Sequence, residues 1–351
     1  MRENVSRRDF LRAAGTTAGI ASAMAHLPVH AKEEGQPTTA EPKQDGLLWV
    51  YLVHLGYNMW CDREVPGTKK EYWTAQPYLQ CEIGFWHELI ARMAAAGINM
   101  VVIDLGEGVR YESHPELAVR GSWTPGQLQD ELARVRDKGI EPIPKLNFSA
   151  GHDAWLGEHS RCLSTATYYT VCSDLIAEVI DLFDGPRFFH LGMDEETAEH
   201  QREYAYVVIR QHELWWHDFN LYVEEVQKGS ARPWIWSDYL WRHPELFFQN
   251  MPKSVLQSNW YYGDTFKDDE KYVAAYLELE KHGYDQIPTG SNWSHPDNFE
   301  KTVAYCSARI PQPRLKGFLQ TSWKPTLERC RDRHIAAIEQ VAKARAAWRL
   351  T

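Results

Sequence analysis

The sequence predicts a single α/β domain of the (β/α)8 barrel, or TIM-barrel, class, and three observations predict it. Eight strand-like runs follow one another along the chain, each succeeded by helical sequence. Polar and aromatic side chains gather at the C-terminal ends of those runs, where barrels of this class carry their sites. With 351 residues, 44% of them hydrophobic, the chain has the apolar material for one large core. A doubly wound open sheet would need a phosphate-binding glycine turn after strand one, and Gly56-Tyr57-Asn58-Met59 is not one.

The expected barrel occupies 46–351. Strand one is 46–56, followed by a long aromatic and polar loop, 57–82. Helical spacing over 83–96 closes at Gly97, which tolerates the left-handed turn of a helix end. Strand two is 98–106, with Glu107, Arg110 and Glu112 in the loop beyond it. The next helix runs from about 125 to 138, with Thr124 and Pro125 suited to its N-cap and first turn and Gly139 to its end. Strand three is 140–148, then come Gly151-His152-Asp153 and a helix over 164–183. Strand four is 187–196, and a long helical region is expected from 197 to about 228. Strands five to eight are 232–238, 254–261, 285–293 and 316–323, with helices over 269–282, 299–308 and from about 330 to 347. The least regular step is 240–252, where His243-Pro244-Glu245 opens only a short helix.

Strand four carries the chemistry. At the two-residue period of a strand, Phe188, His190, Gly192 and Asp194 share one face, and Phe189, Leu191 and Met193 the other. Glu195 stands where the strand ends, so Asp194 and Glu195 can look into one pocket. Acids there also suit the start of a helix, whose dipole favours negative charge. Around the barrel, the other strand ends supply Asp104, Asn147 with His152, Trp236 with Asp238, Asn259 with Tyr261, Trp293, and Trp323. Together these suit a sugar pocket: carboxylates for proton transfer, amides for hydroxyls, and indoles for ring faces. The 15 Trp and 17 Tyr agree with that reading, while a net charge of −10 without a basic tract argues against a nucleic-acid partner.

The N-terminus has a separate logic. Ser6-Arg7-Arg8-Asp9-Phe10-Leu11-Arg12 precedes a mildly apolar run over 13–27 and then Val29-His30-Ala31. This resembles a twin-arginine export signal over 1–31, followed by a polar linker over 32–45, and implies a periplasmic or secreted protein. No later segment has the apolar length of a membrane span. Six cysteines without CxxC spacing exclude a zinc ribbon. They leave free thiols or a few disulfides, with Cys61–Cys81 and Cys162–Cys172 as candidate pairs.

The His190-x-Gly192-x-Asp194-Glu195 pattern resembles the signature of the glycoside hydrolase family 20 β-N-acetylhexosaminidases. Gly151-His152 after strand three is similar to that family's Pro-Gly-His, and Trp234-Ile235-Trp236-Ser237-Asp238 and the strand ending at Trp323 fit the same plan. The likeness runs from about Leu47 onward. It departs at strand eight, where Lys324-Pro325 follows the tryptophan and the family carries a substrate-holding Glu.

The resemblance implies an exported glycosidase that cleaves terminal N-acetylhexosamine by substrate assistance, with a carbohydrate partner and no cofactor. Glu195 would be general acid and then base, its pKa raised by Asp194 and the pocket walls. Asp194 would hold the 2-acetamido group with a tyrosine, by position Tyr261. His190 and His152 would orient the acids, and Trp236, Trp260, Trp293 and Trp323 would wall the sugar. The residues by themselves leave two other functions open. His190, His152 and Asp194 have the chemistry of a divalent-ion site in a metal-dependent sugar isomerase or hydrolase barrel, and a non-catalytic glycan-binding barrel would show the same aromatic walls. His212 and His217 do not make a zinc-helix motif, because five residues turn a helix roughly 140° past the first ligand.

Overall fold

A computed structural model of the chain describes residues 46–68 and 70–348. The export signal and linker expected over 1–45 lie outside the described residues. Eight parallel strands alternate with eight α-helices among the described residues, as the sequence predicts. The strands are β1 Leu48–His54, β2 Met100–Asp104, β3 Glu141–Lys145, β4 Phe188–His190, β5 Arg232–Trp236, β6 Leu256–Ser258, β7 Thr289–Ser291 and β8 Gly317–Thr321. The helices that follow them in turn are α1 Ile83–Ala96, α2 Pro125–Asp137, α3 Ala166–Leu182, α4 His212–Lys228, α5 Pro244–Asn250, α6 Lys271–Lys281, α7 Asn298–Ser307 and α8 Arg331–Trp348.

The sheet order is β6-β5-β4-β3-β2-β1-β8-β7. Between β6 and β7 the ladder is short, and closure rests on the bridges Gln257↔Gln286 and Trp260↔Thr289. Alternation along each strand divides the core in two. Leu48, Val50, Leu52, Met100, Val102, Ile143, Phe188 and Leu319 fill the barrel. Trp49, Tyr51, Val53, Val101, Ile103 and Phe189 pack outward with Leu89 of α1, Leu132 of α2 and Ile176 of α3. The predicted helix signals are used: the Thr124 hydroxyl accepts from the Gln127 N–H, and Gly97 takes φ +76° at the end of α1.

One expectation fails. The region 197–211 is turn and coil, and the helix starts only at His212. The reason is Arg210, which is buried and reaches back to Glu196 with a two-pronged pair, 2.9 Å from Nε to Oε1 and 2.6 Å from Nη2 to Oε2. That pair closes the intervening residues into a loop. No single apolar face competes for them, since their apolar residues fall at mixed spacing. All six cysteines are free, so neither candidate disulfide forms. No helix among the described residues is long and apolar enough to cross a membrane.

At the C-terminal level of the barrel the inward positions turn polar. His54, Asp104, Lys145 and His190 come from four successive strands and pair in register. Lys145 Nζ lies 2.6 Å from Asp104 Oδ2, and His54 Nδ1 lies 3.2 Å from the same oxygen. Burial pushes the Asp104 carboxyl up, but Lys145 and His54 outweigh it and hold it at about 2. His54 and His190 are both pushed down, chiefly by burial, with Lys145 opposing a second positive charge.

A carboxyl whose folded pKa is depressed contributes stability above its ordinary value that is lost as pH falls through the folded one. Asp104→Asn, which leaves Lys145 uncompensated, is therefore expected to cost about 3–5 kcal/mol near neutral pH. The gap from the wild type should narrow as pH falls from about 4 to about 2. Denaturant unfolding across that range checks it, and a gap independent of pH would contradict it.

Candidate active site

The chain leaves β4 at His190 and coils sharply through Gly192, Met193 and Glu195, with φ of +70°, +72° and +52°. For Met193 and Glu195 that is an uncommon backbone, and it persists because the surroundings fix it. The His190 Nδ1 accepts from the Gly192 N–H at 3.0 Å. The Asn147 Oδ1 accepts from the Met193 and Ser149 N–H groups at 3.1 and 3.0 Å, and its Nδ2 donates to Asp194 Oδ1 at 2.8 Å. The Ser149 hydroxyl donates to the Asp194 carbonyl. A Cβ on Gly192 would fall 2.0 Å from the Asn147 Oδ1, so only glycine fits there.

Asp194 and Glu195 are brought together as expected, around His152. The His152 Nε2 lies 3.4 Å from Asp194 Oδ2 and 3.3 Å from Glu195 Oε2, and the His200 Nε2 lies 2.7 Å from Glu195 Oε2. Asp238 accepts from the Glu195 N–H at 2.9 Å. Burial lowers the His152 imidazole, but Asp194 and Glu195 overcome this and bring it to about 9. Burial and the charges of Asp194 and Glu195 push Asp238 up to about 8. Glu195 departs from the expected direction: burial pushes its carboxyl up, yet His152 and His200 pull it well below the usual carboxylate range.

A cavity of about 650 Å³ opens beside the pair, lined among others by Glu195, His200, Asp238, Trp241, Trp260 and Tyr262. Trp260 stacks on Tyr262 at 5.0 Å and meets Trp241 edge-on at 4.4 Å. Trp323 donates from Nε1 to the Tyr262 hydroxyl at 3.0 Å and lies 5.9 Å from Trp236 between ring centres. The long loop after β1 also reaches the site. Its Trp60 stacks on Trp73 at 5.4 Å and stands edge-on to His152 and Trp323 at 5.0 and 6.3 Å. Glu107 braces the root of this loop by accepting from the Tyr57 and Asn58 N–H groups.

Several predicted contacts are reassigned by their partners. Asn147 and Asp238 hold the acids, and Asn147 has both ends of its amide engaged in doing so. Asp104 belongs to the ion-paired layer inside the barrel. His190 buttresses the turn at Gly192 and does not touch the acids; its ring packs on Trp236 at 4.5 Å. Asn259 accepts from Trp241 Nε1 and donates to the Tyr272 carbonyl, both at 2.8 Å, so it positions Trp241. Tyr261 turns its hydroxyl to the Thr265 carbonyl, and its neighbour Tyr262 faces Asp194 and Glu195. Trp293, 50% exposed, lines a separate shallow concavity with Tyr72, Lys324 and Arg333.

The residues missed are His200, Tyr262, Trp60 and Trp241. His200 sits in the stretch read as helix, and the tyrosine pair Tyr261-Tyr262 cannot be told apart by alternation once β6 ends at Ser258.

No protein-family model matches the chain, and no curated protein matches it significantly. Solved structures do share its fold. A chitobiase from Flavobacterium johnsoniae is 18% identical with a TM-score of 0.55, over 74% of this chain and 46% of that one. A β-N-acetylhexosaminidase from Bacteroides fragilis is 14% identical with a TM-score of 0.56, over 84% and 65%. Dispersin B is 16% identical with a TM-score of 0.53, over 85% and 99%. The chain thus spans about half to two thirds of the first two proteins. At these identities the likeness is one of fold.

Because Arg210 is buried against Glu196 and Asp218, Arg210→Met leaves carboxylates buried without their cation. The expected cost is about 3–5 kcal/mol, with faster proteolysis within 197–211. Melting and limited proteolysis check it, and an unchanged melting temperature would contradict it.

Proposed function

We propose that this protein is an exported glycoside hydrolase that removes terminal β-linked N-acetylhexosamine by a substrate-assisted, retaining mechanism. The observation that carries the reading is the Asp194–Glu195 pair, with one Asp194 oxygen fixed by Asn147 and His152 set between the two carboxyls. Support also comes from the fold neighbours described as a chitobiase and a β-N-acetylhexosaminidase. Export rests on the Arg7-Arg8 motif, which directs the chain to the periplasm or beyond.

In this mechanism Asp194 accepts the N–H of the substrate's 2-acetamido group and turns its carbonyl oxygen toward C1. That oxygen forms the new bond to C1 as the C1–O bond to the leaving group breaks, and Glu195 gives its proton to the departing oxygen. Water then attacks C1 of the cyclic intermediate, returning a proton to Glu195 and regenerating the acetamide. The sugar ring is walled by Trp260 and Tyr262, and Tyr262 replaces Tyr261 as the hydroxyl nearest the acetamido group.

The ionised Glu195 fits this scheme because its proton is stored next to it. His152 carries a proton at neutral pH, 3.3 Å from Glu195 Oε2. Transfer along that contact yields a neutral acid and a neutral imidazole with no change in the site's proton count. Substrate that excludes water from the cavity favours this uncharged arrangement over the ion pair.

The test is turnover of aryl β-N-acetylglucosaminide and β-N-acetylgalactosaminide by the purified protein in EDTA. Asp194→Asn and Glu195→Gln are each expected to lower kcat/KM by roughly 10²–10⁴-fold without loss of fold. A folded wild type that turns over neither sugar would sink the reading; binding N-acetylhexosamine without turnover would make it a glycan-binding barrel.

A further inference from the structure

Two groups of side chains among the described residues bring two imidazoles and a carboxylate within 4.8 Å of one another: His114, Glu116 and His159, and His152, Glu195 and His200. The first is satisfied as it stands. Its Glu116 Oε1 bonds to the His114 Nδ1 and the His159 Nε2 at 3.0 and 2.8 Å, and Asp174 occupies the other nitrogen of His114. The second is not. His152 is 1% exposed, and neither of its ring nitrogens has a directed hydrogen bond, although Nε2 points between two carboxylates. A buried imidazole left so is rare, and in its neutral form it has a nitrogen lone pair to offer.

The spacing points to what would complete the group. Zinc bonds of about 2.0–2.1 Å in tetrahedral geometry set ligand atoms roughly 3.3 Å apart. The His152 Nε2 stands 3.3 Å from Glu195 Oε2 and 3.4 Å from Asp194 Oδ2. A third edge, His200 Nε2 to Glu195 Oε2, is 2.7 Å and must widen, and the His152 and His200 ligand atoms lie within 4.8 Å of each other. His200 can do this by rotation, since it lies on the loop before α4 and its side chain is 29% exposed. Asp194 is already oriented from behind by Asn147, as metal-binding carboxylates are by their outer partners.

We propose that His152, Glu195 and His200, with Asp194 beside them, form a capture site for a divalent transition-metal ion, zinc in the first instance. The ion takes the Glu195 oxygen that the proposed hydrolysis uses for proton transfer, so metal binding and turnover exclude one another. The site itself stands on geometry; only its consequence for turnover rests on the glycosidase reading.

The experiment is isothermal titration of the full chain, freed of metal, with zinc chloride, beside His200→Ala, Glu195→Gln and His114→Ala. One ion per chain is expected, held at least roughly 10–100-fold more weakly by His200→Ala and Glu195→Gln and unchanged in His114→Ala. No saturable binding, or binding indifferent to His200→Ala, would overturn the site. In an active protein, zinc should abolish hydrolysis and EDTA restore it. A protein that binds zinc at this site yet hydrolyses no N-acetylhexosaminide keeps the site and loses the hydrolase.

Discussion

The side-chain amide of Asn147 is the constraint on which the site depends. Three backbone and side-chain groups from two loops meet on it: the N–H of Ser149, the N–H of Met193 and the carboxyl of Asp194. Each is buried, so a lost bond would leave an unsatisfied polar group away from water. The amide therefore ties the end of β3 to the coiled end of β4 and fixes the direction of Asp194. It also explains Gly192, whose missing side chain is what lets the two loops approach. Gly151 repeats the device on the opposite side, where a Cβ would stand 2.8 Å from the Glu195 carbonyl.

Electrostatics then build the site in two levels. Inside the barrel, Asp104 and Lys145 neutralise each other, and the flanking His54 and His190 are held toward their neutral forms. Above them, His152 meets Asp194 and Glu195, His200 meets Glu195, and Asp238 accepts from the Glu195 N–H. Burial and the neighbouring acids push Asp238 up, while His152 and His200 pull the Glu195 carboxyl down against its own burial. Neighbouring carboxyls are thus shifted in opposite directions by their surroundings. His152 serves both proposals, because an imidazole that can hold a proton near Glu195 can hold a metal ion in its place.

Much of this was legible in the residues. Strand period and helix-end signals placed all eight strands and the helices between them, because a two-sided core imposes alternation on β1, β2 and β3 over their whole length. That Asp194, Glu195, His152, Asn147 and Asp238 gather at one end was legible too, since the barrel sends every strand end to one face, but Asn147 and Asp238 were expected to bind substrate and instead hold the acids. What alternation cannot reach is the chain beyond a strand. The helix expected over 197–211 gave way to the buried Arg210–Glu196 pair, a contact fourteen residues apart that no local propensity encodes. His200 was hidden with it. Alternation does not choose between Tyr261 and Tyr262, because β6 stops at Ser258 and its period no longer assigns a face, and Trp60 lies in a loop with no period at all. The direction of the Glu195 shift was missed because His152 and His200 together outweigh burial, and of the two only His152 was legible.

The central claim is that Asp194 serves a substrate's own 2-acetamido group as nucleophile. The most direct measurement is the ratio of kcat/KM for an aryl β-N-acetylglucosaminide to that for the matching aryl β-glucoside, which carries a hydroxyl in place of that group. An intramolecular nucleophile held in place is worth many orders of magnitude, so the ratio should be at least about a thousandfold. A glucoside cleaved as readily as the N-acetylglucosaminide would contradict the account and return the nucleophile to the protein.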